Sequence, residues 1–226
     1  MNNSELLILG DSFCSDRYKK STWPKLVSST LCNLSYDSVI VPRGCGYAGA
    51  SWWSSRRELL DNLKLNTPKV AIFCHTEPNR LPSKDNYALN ISTIEAKNIY
   101  KCDGKTFTNI KNKRLLAAAS LYYEQLWTHE YSMWSVTQWF KELDELTQGI
   151  EKVLHFYSFS GDYTNYTFNN GITFADSLKT YAVSDKLSEG NHFTVVNNLK
   201  LAKLILRYVN NYPEKGTRVL DKIIND

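Results

Sequence analysis

Four short apolar runs punctuate the chain, at residues 6–9, 38–41, 70–74 and 153–157. None alternates with polar positions, which is the pattern of strands covered by helices on both faces. Between the first three lie stretches of helical periodicity. One starts at Ser21 or Thr22, tolerates Pro24 in its first turn and runs to about Leu31; another spans 51–63. Strand, helix, strand, helix, strand predicts an α/β fold: a three-layer α/β/α sandwich with a central parallel sheet and right-handed crossovers. A ligand site is then expected at the carboxyl ends of the strands. Ser12 and the loops beginning at Pro42 and His75 fall on that edge.

The rhythm breaks after Glu77. Residues 101–106 have the composition of a hairpin turn between Ile99-Tyr100 and Phe107, and 113–148 is helical in pattern, with Val136, Trp139, Phe140, Leu143 and Leu146 on one stripe and a break near 128–132. The region of about 77–149 therefore reads as a helical insertion within one domain covering 1–226, and Trp127, Tyr131, Trp134 and Trp139 as core of its helices. A last helix starts near Thr194, its N-cap, with Val195, Leu199, Ala202, Leu206 and Val209 at helical spacing. It is expected to pack on the sheet and fix His192 at its start.

A length of 226 residues allows a sizeable core. The net charge of +4 is small and dispersed, which argues against nucleic acid and against an anionic membrane surface as partners. The densest basic cluster, 111–114, reads as a solvated loop. No apolar run approaches the roughly 20 residues of a bilayer span, and Met1-Asn2-Asn3-Ser4-Glu5 lacks the basic start of a secretion signal. A cytoplasmic location is expected, in a cellular or viral setting. Cys14, Cys32, Cys45, Cys74 and Cys102 form no Cys-x-x-Cys pair and read as buried reduced thiols. His75 beside Cys74 reads as a rim imidazole next to a core thiol, and His129-Glu130 as surface, because neither has metal-ligand spacing. With no glycine-rich phosphate loop, no cofactor and no metal are expected.

The candidate chemistry sits at the two ends. The first apolar run stops abruptly at Gly10-Asp11-Ser12, and Glu189-Gly190-Asn191-His192 places a histidine three residues after a carboxylate. A serine hydroxyl is a weak nucleophile at neutral pH, so it needs a base within hydrogen-bond reach and a group that orients that base. Ser12, His192 and Glu189 can fill these roles, the base contributing roughly 10²- to 10⁴-fold.

These residues resemble the signature blocks of the SGNH hydrolase superfamily, the GDSL-type esterases and lipases. Leu7-Ile8-Leu9-Gly10-Asp11-Ser12 matches the block after the first strand, and Gly190-Asn191-His192-Phe193-Thr194 the block before the last helix. The resemblance implies Ser12 as nucleophile, His192 as base and an oxyanion hole formed by Ser12, a glycine after the second strand and an asparagine after the third. This chain departs from the pattern in three places. Glu189 stands where the family has aspartate, with Asp185 a weaker candidate. Arg43-Gly44-Cys45-Gly46-Tyr47-Ala48-Gly49 offers Gly49 or Gly46 for the oxyanion glycine, Gly49 being preferred. His75-Thr76-Glu77-Pro78-Asn79-Arg80 puts a glutamate where the asparagine is expected, leaving Asn79 or Thr76 as the third donor and Arg80 as added positive charge.

The resemblance implies a serine esterase acting through an acyl-enzyme, its substrate a small-molecule or glycan ester. Trp52-Trp53, just after the glycine loop, could stack on a sugar ring or an acyl chain, and points first to an O-acetyl or short-chain ester of a carbohydrate. Residues 157–162 would form another wall. Two other readings use the same residues: acyl transfer to an acceptor that excludes water, and a binding module that retains the fold without the chemistry.

Overall fold

The computed structural model describes residues 6–14, 21–33, 39–40, 51–81, 87–91, 94, 99–102, 107–110, 113–183, 191–220 and 222–224. Strands β1 (Leu6–Gly10), β2 (Val39–Ile40), β3 (Val70–His75), β7 (Lys152–Tyr157), β8 (Ile172–Ser177) and β9 (Arg218–Val219) form one sheet in the order β2-β1-β3-β7-β8-β9. Every neighbouring pair in it is parallel. This is the doubly wound α/β order, reversing direction at β1 and β3, the point where ligands bind in such sheets. Three short strands, β4 (Tyr87–Ala88), β5 (Ile99–Cys102) and β6 (Phe107–Ile110), make a separate antiparallel sheet.

Both faces of the parallel sheet are covered, and the pleat sends alternate residues to opposite layers. Leu6, Ile8, Val70, Ile72, Leu154 and Phe156 pack under α1 (Trp23–Asn33) and the last helix, whose buried contributors include Trp23, Val27, Leu201 and Ile205. Leu7, Leu9, Ala71, Phe73 and Val153 face the other way, toward Leu59 of α2 (Trp52–Leu65) and Val136, Trp139, Phe140 and Leu143 of α4 (His129–Leu146). Burial on both sides is why these strands read as unbroken apolar runs. The remaining helices are α3 (Lys113–Gln125) and α5 (Val195–Asn210).

Several expectations need correcting. The stripe of α5 is rotated: Leu201, Ala202, Ile205 and Val209 are buried with the polar Asn198, whereas Val195 and Leu199 are exposed. A buried asparagine replaces the apolar residue that periodicity seeks. Strands β8 and β9 were not expected; Asp176 and Ser177 interrupt the apolar character of the first, and the second is two residues long. The expected hairpin between Ile99-Tyr100 and Phe107 is present as β5 and β6 of the small antiparallel sheet, whereas α4, at the end of the expected insertion, is a layer of the sandwich itself. Tyr131 and Trp134 lie exposed on α4 instead of in its core. Among the described residues no helix is long and apolar enough to cross a membrane.

Gly10 is where β1 approaches β3 most closely. A Cβ there would lie 2.5 Å from the carbonyl oxygen of Cys74 and 2.6 Å from its Cβ, and neither backbone can yield without shifting the sheet. Gly10→Ala should lower stability by about 3 kcal/mol, the upper end of ordinary overpacking. The urea midpoint would fall with no change in m; an unchanged midpoint would refute the close approach.

Candidate functional site

The end of β1 turns sharply into a 3₁₀ turn at Ser12–Cys14. Asp11 shapes it: its Oδ1 accepts the Phe13 backbone N–H at 3.0 Å and the Ser158 hydroxyl at 2.9 Å, and its carbonyl accepts the Cys14 N–H at 3.1 Å. The Trp23 indole N–H holds the Phe13 carbonyl at 2.8 Å. Asp11, Phe13 and Cys14 are at most 1% exposed and Ser12 is 8% exposed, so within this turn the serine is the residue that reaches solvent. Cys14 and Cys74 are buried thiols outside any disulfide, and burial pushes the Cys14 thiol well above its ordinary pKa.

At the far end of the chain, His192 has a left-handed backbone, φ 69°. A non-glycine residue rarely adopts this conformation and holds it only when its surroundings fix it. Those surroundings are specific. The side-chain amides of Asn191 and Asn198 pair reciprocally at 2.7 and 3.2 Å, both fully buried, and Asn198 Oδ1 also accepts the Trp23 backbone N–H at 2.8 Å. The Thr194 hydroxyl caps α5 by accepting the Asn197 N–H at 3.1 Å. Trp23 therefore ties the serine turn with its indole and the histidine loop with its backbone. The Phe13 ring lies 4.9 Å from the imidazole.

The result is a contact of 2.7 Å between Ser12 Oγ and His192 Nε2, across 180 residues of sequence. For the hydroxyl to donate to Nε2, the proton of the neutral imidazole must sit on Nδ1. Such a pair can transfer the serine proton as the oxygen attacks an electrophilic carbon. Glu189, Asp185, Gly46 and Gly49 lie outside the described residues.

The loop after β3 carries the remaining candidates. Glu77 Oε2 accepts from Arg80 Nε at 3.2 Å, and the Arg80 guanidinium lies over the Phe159 ring, 5.1 Å from its centre. The glutamate that replaces the expected asparagine is thus partnered by a cation. The Tyr123 hydroxyl of α3 donates to the Asn79 carbonyl at 2.5 Å and, with its pKa raised by burial, keeps its proton. Thr76 Oγ1 and Asn79 Oδ1 are buried without a hydrogen-bond partner among the described residues. Each such atom forfeits about 1–3 kcal/mol unless a water or ligand meets it, and Asp11 Oδ2, Thr22 Oγ1 and Trp127 Nε1 share this state.

Below this loop lies an arrangement absent from the sequence expectation. His75 is buried and not at the rim; its Nε2 is 3.1 Å from Nδ1 of His155, and His155 Nε2 is 3.4 Å from the Asn170 carbonyl. A carbonyl can only accept, so His155 carries its proton on Nε2 and receives one from His75. Both imidazoles are neutral. Burial holds His155 down to about 3 and His75 well below the ordinary histidine value. Phe168 stacks on His155 with ring centres 3.6 Å apart.

Among the described residues no group of three or more His, Cys, Asp or Glu side chains could hold a metal ion. The chain matches no protein-family profile, no curated protein and no solved structure. Trp23, Asn191 and Asn198, which position the pair, were missed as site residues, and Ser158 was expected only as part of a pocket wall. Asn191 adjoins His192 in sequence, but nothing local marks Asn198.

Proposed function

We propose that this protein is a serine hydrolase of the SGNH type, cleaving an ester through an acyl-enzyme. The observation that carries the reading is the 2.7 Å contact between Ser12 Oγ and His192 Nε2 at the carboxyl edge of the parallel sheet. Ser12 Oγ attacks the ester carbonyl while its proton passes to His192 Nε2. The tetrahedral intermediate collapses as the imidazolium returns that proton to the leaving alcohol, and a water activated by the same nitrogen then releases the acid. Glu189 orients His192 in this scheme. The oxyanion is held by backbone amides of Ser12 and Gly49, with Asn79 as third donor.

The orphaned Thr76 hydroxyl gives that third position a competitor on the same loop. Thr76→Val keeps the shape and deletes the hydroxyl, so stability should stay level or rise. If Thr76 donates to the oxyanion, kcat drops about 10²- to 10³-fold; if Asn79 does, Asn79→Leu shows that loss and Thr76→Val does not. Steady-state kinetics on p-nitrophenyl acetate decide between them.

Intact-mass labelling with a fluorophosphonate, alongside hydrolysis of p-nitrophenyl acetate, tests the whole reading. One adduct with matching esterase activity supports it. Folded protein that takes no adduct and turns over no ester overturns it in favour of a binding module.

A further inference from the structure

The first turns of α2 pack beside α4 along its length from Tyr131 to Glu142, and the two helices line a groove of about 280 Å³. Its lining is unusual for a surface: Trp52, Trp53, Tyr131, Trp134 and Trp139 together with Arg56, Ser135, Gln138 and Glu142. Trp53, Tyr131 and Trp134 are 42%, 54% and 60% exposed, a cost in exposed apolar area that the fold does not require. Tyr131 and Trp134 stack nearly parallel with centres 6.2 Å apart, and Trp52 meets Trp53 edge-on at 5.7 Å. Arg56 bridges the two helices through both oxygens of Glu142, at 2.6 and 2.7 Å, with its guanidinium 5.2 Å from the centre of the Trp53 ring.

We infer that this groove is a saccharide subsite that holds a pyranose ring of a neutral glycan, the alcohol side of the ester substrate. The inference rests on the hydrolase reading for the word ester, but the groove's chemistry stands on its own. Apolar C–H faces of a sugar ring fit flat aromatic surfaces, and its equatorial hydroxyls can exchange hydrogen bonds with a guanidinium, a carboxylate, an amide and a serine. An acyl chain fits the aromatics only. It would bury the Arg56–Glu142 pair, Gln138 and Ser135 without offering any of them a partner, which is strongly unfavourable. Arg56 and Glu142 neutralise one another, so the groove offers no net charge to a phosphorylated or carboxylated ligand.

Topology puts the groove on the correct side of the molecule. Helix α2 runs back from the carboxyl edge of the sheet, so Trp52 and Trp53, in its first turn, lie at the edge where β1 delivers Ser12. In sequence, Trp52 follows Gly49 by three residues.

The test separates this inference from the hydrolase reading. Ser12→Ala protein is titrated with unacetylated xylo-, cello-, manno- and chito-oligosaccharides, following tryptophan fluorescence and calorimetric heat. Saturable binding to at least one series is expected, weakened roughly tenfold by Trp134→Ala or Tyr131→Ala, exposed positions that the core does not need. In the wild type, the same substitutions should lower kcat/KM for the acetylated oligosaccharide relative to p-nitrophenyl acetate. Esterase activity with no binding by any series overturns the groove and leaves the hydrolase standing. Oligosaccharide binding without ester turnover does the reverse. Preference for a long-chain p-nitrophenyl ester that Trp134→Ala abolishes, again without sugar binding, overturns the groove in favour of an acyl site.

Discussion

Ser12→Ala should lose the fluorophosphonate adduct completely and lower esterase kcat by at least about 10⁴-fold, while the protein remains folded. The hydroxyl makes its described contact with His192 and supports no core packing, so its removal should change stability by no more than about 0.5–1 kcal/mol. His192→Ala should cost about as much activity, because an unactivated serine hydroxyl is nearly as inert as none. The double variant should be no slower than either single one, since two groups that act in one proton transfer do not contribute additively. Glu189→Gln should retain a residual rate, its role being to orient. Near wild-type turnover in Ser12→Ala would overturn the assignment.

Acid should unfold this protein earlier than its carboxylates alone dictate. His75 and His155 are neutral in the folded state, and burial holds His155 down to about 3, whereas in the unfolded chain both titrate near 6.5. Below that value the unfolded chain takes up protons that the folded one refuses, so stability falls as pH falls. The loss begins near pH 6.5 and continues through about pH 3. From pH 7 to pH 5 His155 accounts for about 2 kcal/mol, and His75 adds to the loss in the same direction. Most carboxylates are still ionised in that window. Urea midpoints across it should drop steeply, and a His75→Leu/His155→Leu double variant should flatten the slope whatever its stability at pH 8. A flat wild-type profile between pH 7 and pH 5.5 would exclude the neutral pair.

The layered architecture was legible because β1, β3 and β7 are buried on both faces and so leave continuous apolar runs, and because Ser51, Thr128 and Thr194 mark helix starts chemically. The edge of the sheet was not, since β9 is two residues long and β8 mixes Asp and Ser into its second half. For the site, Ser12 and His192 could be read from the residues beside them. Asn198 could not: a lone asparagine on a helix face has no local signature, and its value lies in a partner seven residues earlier and another 175 residues away. The His75–His155 pair was hidden for the same reason, since its meaning depends on the pairing of β3 with β7, which sets Phe73 against His155 and His75 against Tyr157. Tyr131 and Trp134 misled because aromatic residues on a helix usually point to its core.

Trp23 has a consequence for how the chain acquires its chemistry. Synthesis delivers Ser12 180 residues before His192, and the tryptophan that braces the serine turn waits for Asn198 to satisfy its backbone N–H. An emerging chain therefore carries Ser12 without its histidine partner until residues 191–198 have followed. A fragment cut before α5 keeps His192 but lacks Asn198, the half of the amide pair that also holds Trp23. Formation of the Ser12–His192 contact and closure of the final helix onto α1 are therefore one event.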